Sequence, residues 1–191
     1  MRGQTRLMDI YLIRHGQVDE RTSSDPSMAR LTAEGLAQAE RLAAQCAEWN
    51  VQFLCASTVA RAQETADVIH TKIPDALRWD LEELAEINPD DLYGLLMAGP
   101  ILATWDARQL RLGYERAWVR IMAAWARIEI YARANALDRI AIVAHESTIA
   151  LLLLNWLGLD WRALDALTIS VDPGATCKVT LDDGGRACIA W

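Results

Sequence analysis

Two of the three histidines in this 191-residue chain, His15 and His145, stand at the ends of short apolar runs, IYLI to Ile13 and IAIVA to Ala144. Each run has the composition of a strand buried on both faces. Arg14 precedes His15, and a third apolar run, Val51 to Ala56, is followed by Ser57 and then by Arg61 in the first turn of a predicted helix. Open α/β sheets bind ligands beyond the carboxyl ends of their strands, so the spacing places Arg14, His15, Arg61 and His145 around one crevice. Two guanidiniums and two imidazoles beside helix N-termini suit a tetrahedral dianion such as phosphate. Taken singly, each has a plainer reading: a strand-end histidine as a structural residue, Arg61 as a surface side chain.

The elements that must carry these residues are readable from periodicity. The first strand is expected at Asp9 to Ile13, followed by a polar loop over Gln17 to Arg30. Thr32 is a plausible N-cap for a helix in which Leu36, Ala39, Ala43, Cys46 and Ala47 recur at helical spacing until Asn50. A helix from about Thr58 to His70 follows the second strand. The acidic stretch Leu81 to Gly94 reads as a loop or irregular cap around Pro89. Helical patterning returns over Leu95 to Leu112 and again over Tyr114 to Ala134, where Trp118, Ile121, Trp125, Ile128 and Tyr131 recur every three or four residues. Those tryptophans are read as core or cap packing rather than ligand stacking. The strand Arg139 to Ala144 leads into an apolar helix, Ser147 to Leu157. Strands are expected at Leu167 to Val171, Ala175 to Leu181 and Arg186 to Ala190, the last two joined by the hairpin signal Asp182-Asp183-Gly184-Gly185. The expectation is a three-layer α/β/α sandwich with a mostly parallel central sheet, an antiparallel C-terminal hairpin at its edge and a small helical cap insertion at about 81–112 of a single 1–191 domain.

Composition sets outer limits. A chain 52% apolar with a net charge of −7 is neither disordered nor a general binder of nucleic acid or anionic membranes. The opening residues lack the apolar core of a signal peptide, and the longest apolar run, Ile149 to Leu154, falls short of the ~18 residues that span a bilayer. A cytoplasmic protein is expected, monomeric or homodimeric. Cys46, Cys55, Cys177 and Cys188 form no metal or redox motif and are read as reduced, packed thiols.

The motifs in order resemble the histidine phosphatase superfamily, also called phosphoglycerate-mutase-like. Its strand followed by Arg-His-Gly is matched by Leu12 to Gly16, and its Leu-Thr-x-x-Gly-x-x-Gln-Ala by Leu31 to Ala39. Its Ser-x-x-x-Arg-Ala-x-x-Thr-Ala is matched by Ser57 to Ala66, and its second histidine strand by Ile140 to His145. The resemblance covers most of the chain. It implies a phosphatase that hydrolyses a phosphomonoester of a small metabolite through a phosphohistidine on His15, with no metal and no cofactor. Gly16 would allow close backbone approach, while Arg14, Arg61 and His145 would hold the phosphoryl oxygens. The arginines beside His15 should keep its imidazole neutral. The resemblance also implies a carboxylic acid as proton donor. Glu86 is chosen because Leu84-Ala85-Glu86 and Gly94 meet the family's Leu-x-Glu and following Gly; Glu83, or a solvated loop without a catalytic member, is the alternative.

Departures from the family pattern bear on specificity. Asp90, Leu92 and Tyr93 stand where Gly, Trp and Glu are common, and Glu146 stands where Gly usually follows the second histidine. Glu146 could favour a protonated His145 or, pointing inward, repel phosphate. Gln17 and Arg21 are possible substrate contacts, Arg21 equally a solvated loop residue. Other activities compatible with the resemblance are phosphoglycerate-mutase-type phosphoryl transfer, which the modest length disfavours, dephosphorylation of protein phosphohistidine, and non-catalytic phosphate-ligand binding.

Overall fold

Residues 6–19, 28–87 and 107–190 are described by the computed structural model. The strands β1 (Met8–Arg14) and β4 (Arg139–Ala144) run parallel, with Ile10 opposite Ile140 and Arg14 opposite Ala144. Both are almost wholly buried, because alternate side chains feed two different cores. Ile10, Leu12, Ile140 and Ile142 point to one face, and Tyr11, Ile13, Ala141 and Val143 to the other. Burying each large aliphatic side chain stabilises the fold by ~1.5–3 kcal/mol, which explains the continuous apolar runs.

On the other side of β4 lies β2 (Phe53–Ser57), then the edge strand β3 (Leu77–Leu81); beyond β1 lie β5 (Thr176–Leu181) and β6 (Ala187–Ala190). The sheet order is β3-β2-β4-β1-β5-β6, parallel through the first four strands and antiparallel over the last two. Helices α1 (Ala33–Glu48) and α2 (Ala60–Lys72) cover one face with Leu42, Cys46, Ala62, Ala66 and Ile69. Helices α3 (Ala107–Ala134) and α4 (Glu146–Trp156) cover the other with Ile121, Trp125, Ile128, Ile149 and Leu152. This is the expected three-layer sandwich. Trp125 and Trp156 meet edge to face with centroids 5.0 Å apart inside that second core, as packing residues.

Four details differ from expectation. Leu167–Val171 is not a strand, because the Val171 backbone is spent on side chains: its N–H donates to Glu146 Oε1 at 3.2 Å and its carbonyl accepts from Arg14 at 2.5 Å. The two helices expected on either side of Gly113 are one helix over the described part, α3. The ~1 kcal/mol cost of a helical glycine is outweighed by Leu110, Leu112, Tyr114 and Trp118 packing on the core. Strand β3 was not expected, although Leu77, Trp79 and Leu81 alternate with Arg78 and Asp80. Cys188 is exposed on β6, while Cys46, Cys55 and Cys177 are buried as free thiols. Most of the expected cap, 88–106, lies outside the described residues, as does Arg21. No described helix is long and apolar enough to cross a membrane.

The turn after β1 is held against α1 by backbone proximity. Thr32 caps α1, accepting from Gly35 N at 3.0 Å, while its own N–H donates to Gln17 O at 2.9 Å. Gln17 N donates to Gln38 Oε1 at 2.7 Å. A Cβ on Gly16 would lie 2.5 Å from Gly35 O, and one on Gly35 closer still to Gln17 O. The Leu31 to Ala39 motif therefore clamps the loop that carries His15. Gly35→Ala is expected to lower stability by about 1–3 kcal/mol, read from denaturant midpoints. An unchanged midpoint would remove the close-approach account.

Candidate active site

Four strand ends and the turns behind them deliver the polar side chains. His15 follows β1, Ser57 ends β2, Glu86 lies beyond β3 and the turn Glu82–Leu84, and His145 follows β4 at the N-cap of α4. Arg61 sits in the first turn of α2, so the N-termini of α2 and α4 both face this region. The structure brings Arg14, His15, Arg61 and Glu86 to the wall of one cleft of about 560 Å³, with Gln17 at its side. His15, Arg61 and His145 are buried polar groups, and the two imidazoles meet edge to face with ring centroids 5.2 Å apart.

The hydrogen bonds define a tautomer for His15. Arg61 Nε donates to His15 Nε2 at 2.9 Å, so Nε2 is an acceptor and carries no proton. The proton is then on Nδ1, 2.8 Å from Gly16 O. The neutral state was expected from the neighbouring arginines; the structure makes burial the larger cause. Burial first, then Arg61 and Arg14 against the Gly16 carbonyl, hold the His15 pKa down to about 3. Gly16 N donates to Thr65 Oγ1 at 3.1 Å, and Thr65 Oγ1 donates to Arg61 O at 2.8 Å, tying the loop to α2. Gly174 N, in a turn with φ of 73°, reaches the carbonyls of Arg14 and His15 at 3.1 and 3.0 Å.

His145 Nε2 lies 2.9 Å from Ser57 Oγ. That hydroxyl already accepts from Val59 N at 3.2 Å, so its hydrogen is available to the imidazole. His145 Nδ1 has no hydrogen-bond partner among the described residues and faces Glu86 Oε2 at 3.9 Å. Burial, followed by Arg61 and then His15, keeps the His145 pKa well below the usual range. The neighbouring Glu146 does not protonate it. Instead Glu146 Oε2 pairs with Arg14 at 3.2 Å, while Oε1 accepts from Ser170 Oγ at 2.8 Å.

Glu86 and its alternative separate cleanly. Glu83 pairs with Arg127 on α3, whereas Glu86 lines the cleft and accepts from Ser147 Oγ and, at 3.3 Å, from Ile87 N. Burial raises the Glu86 pKa above the usual carboxylate value, against the Ser147 hydrogen bond, Arg61 and Arg14. Two residues absent from the sequence reading hold this segment. Arg120 donates to the carbonyls of Glu83, Ala85 and Glu86 at 2.7, 2.8 and 3.1 Å, and buried Thr148 Oγ1 reaches Ala85 O at 3.1 Å. The available signals were a charge beside the Ala117, Ile121, Ala124 stripe of α3 and, in Thr148, a hydroxyl next to Ser147 at the head of an apolar helix. Among the described residues no cluster of three or more His, Cys, Asp or Glu side chains is arranged to hold a metal ion.

Fold and site together define an α/β protein whose sheet presents a buried histidine pair flanked by arginines. The profile of the histidine phosphatase superfamily (branch 1) matches residues 10–191, and the chain belongs to that family. No curated protein sequence matches it significantly. Among solved structures, it is similar to a mycobacterial glucosyl-3-phosphoglycerate phosphatase in complex with VO3, at 19% identity and a TM-score of 0.73, covering 96% of this chain and 98% of that one. It is also similar to a phosphoglycerate mutase from Bacillus anthracis, at 16% identity and a TM-score of 0.72, covering 97% and 92%. A third is a putative alpha-ribazole-5'-P phosphatase from Escherichia coli, at 20% identity and a TM-score of 0.69, covering 96% and 94%. Family and fold support a phosphatase or mutase-type enzyme.

The lowered pKa of His15 makes stability depend on pH. Between about 3 and the unfolded value of 6.5 the unfolded state binds the extra proton, so stability is complete above pH 6.5 and falls as pH drops. Between pH 6.5 and 5, His15→Ala is expected to remove up to ~1.4 kcal/mol of that loss per pH unit. Parallel slopes for wild type and variant in urea denaturation would contradict the buried neutral imidazole.

Proposed function

We propose that the protein is a phosphomonoesterase acting on a small phosphorylated metabolite through a phosphohistidine on His15. One observation carries the reading: an unprotonated, buried Nε2 stands beside two buried nitrogens that lack hydrogen-bond partners among the described residues, Arg14 Nε and His145 Nδ1. Unpaired buried donors cost about 1–3 kcal/mol each, and phosphoryl oxygens would satisfy both.

In this reading the phosphoryl group takes the N–H groups of Arg61 onto its oxygens, which releases the His15 lone pair. Nε2 attacks phosphorus in line, the N–P bond forms, and the P–O bond to the alcohol breaks with its electron pair leaving on oxygen. That oxygen takes the proton held by Glu86, whose raised pKa keeps the acid form populated further up the pH scale. A water then attacks phosphorus, Glu86 accepts its proton, and the N–P bond breaks to give inorganic phosphate. Gln17 lines the cleft and Gly16 allows close backbone approach, with the cap at about 81–112 and Arg21 as further contacts to the substrate. The machinery proposed needs no metal and no cofactor. Neither nucleic acid nor membrane is a proposed partner, and a cytoplasmic monomer or homodimer is the proposed setting.

Wild type is expected to hydrolyse p-nitrophenyl phosphate, to be inhibited by vanadate and to carry an acid-labile phosphoryl group on His15, while His15→Ala loses at least about 10³-fold in kcat/KM. Phosphate found on serine, or equal rates for the two proteins, would exclude this mechanism. Glu86→Gln should slow alkyl phosphates at least about 10²-fold and p-nitrophenyl phosphate far less, since p-nitrophenolate leaves without a proton. It should also erase the alkaline decline in rate that wild type shows as Glu86 ionises. Equal slowing of both esters would make Glu86 a structural residue.

A further inference from the structure

A second cavity of about 300 Å³ adjoins the reacting cleft, and Glu86 lines both. Its polar wall is Glu86, Glu146, Ser147 and Tyr114, and its apolar wall includes Leu164 and Ile169. In-line attack by His15 sends the leaving oxygen toward Glu86, the proton donor of the proposed reaction. Because Glu86 lines both spaces, an alcohol whose oxygen reaches Glu86 would have this cavity beside it.

The charges are one-sided. Among the described residues two carboxylates line the cavity and no lysine, arginine or histidine does. Arg14, the cation paired with Glu146, lines the other cleft, where its guanidinium would be drawn onto phosphate. Burial, then the negative charges of Glu86 and Glu146, raise the Tyr114 pKa, which keeps its hydroxyl protonated as a donor.

Resting on the phosphomonoesterase reading, we propose that this cavity is the leaving-group site and that Glu146 makes it select esters of neutral or cationic alcohols against those bearing a carboxylate. A carboxylate on the alcohol would meet Glu146 with no cation among the described lining residues beside it, so discrimination arises from repulsion. A hydroxyl or an ammonium on the alcohol would donate to Glu146, and a hydroxyl oxygen could accept from Tyr114.

The test uses two ester pairs that differ by a carboxylate: glycerol 1-phosphate with 3-phosphoglycerate, and phosphoethanolamine with phosphoserine. Each is measured as a competitor of p-nitrophenyl phosphate hydrolysis, so a constant is obtained whether or not the ester turns over. Wild type should bind the carboxylate-free member of each pair at least about tenfold more tightly. Glu146→Gln should narrow both ratios several-fold. Ile169→Lys, which puts a cation on the cavity wall, should narrow or reverse them, a gain that misfolding does not produce. Equal or inverted preferences in wild type, or ratios unmoved by both variants, overturn the proposal while p-nitrophenyl phosphate turnover and phosphohistidine stand. Loss of those two signals in wild type would instead remove the hydrolase reading and this proposal with it.

Discussion

The site depends on one contact, the hydrogen bond from Arg61 Nε to His15 Nε2. A guanidinium cannot accept a proton, so the bond requires an imidazole that is neutral and protonated on Nδ1. The Gly16 carbonyl takes that Nδ1 proton, and Gly16 must leave the strand at a point where Gly35 admits no side chain. Each constraint passes to the next. The tautomer needs the carbonyl, the carbonyl needs the turn, and the turn needs α1 capped by Thr32 and anchored through Gln38. Motifs far apart in sequence are thereby one mechanical unit that presents a lone pair.

Holding one buried and one part-buried arginine side by side is expensive unless their charges are used. Arg14 meets this by pairing with Glu146 and donating to the Val171 carbonyl. The chain's charge of −7 is thus compatible with a cationic centre, because the acidic groups lie elsewhere or, like Glu146, at its margin. Glu146 replaces the glycine usual after the second histidine. Its carboxylate also takes the Val171 N–H, so the segment that sequence pattern reads as a strand is drawn off the sheet to close the site.

Legibility in the sequence followed burial. Strands β1, β2 and β4 are saturated with apolar residues because both faces are covered, and their boundaries were readable to within about two residues. Arg14, His15, Arg61 and His145 could be placed because they sit at the ends of those strands. Strand β3 escaped notice because an edge strand half in water needs only three apolar positions, which carry little signal. Arg120 and Thr148 were invisible for a different reason. They act on backbone carbonyls, which any residue supplies, so nothing in the composition of 83–86 advertises them.

Those two clamps bear on the raised pKa that the proposed acid role of Glu86 requires. Its carboxylate lies near Arg61 and Arg14, which favour the ionised form, yet burial prevails and the pKa rises. Burial prevails only while the carboxylate stays in place, and Arg120 and Thr148 fix the backbone at Glu86 and in the residues just before it. A phosphoryl dianion drawn between the same arginines would neutralise the charge that lowers the Glu86 pKa and add its own. Substrate binding would therefore push Glu86 further toward its protonated form at the step that consumes the proton. In the proposed reaction the phosphohistidine would carry less negative charge than the dianion once the alcohol departs, and the anionic form of Glu86 would be easier to hold, as activation of water requires. The same arginines would thus couple phosphate binding to the protonation of Glu86.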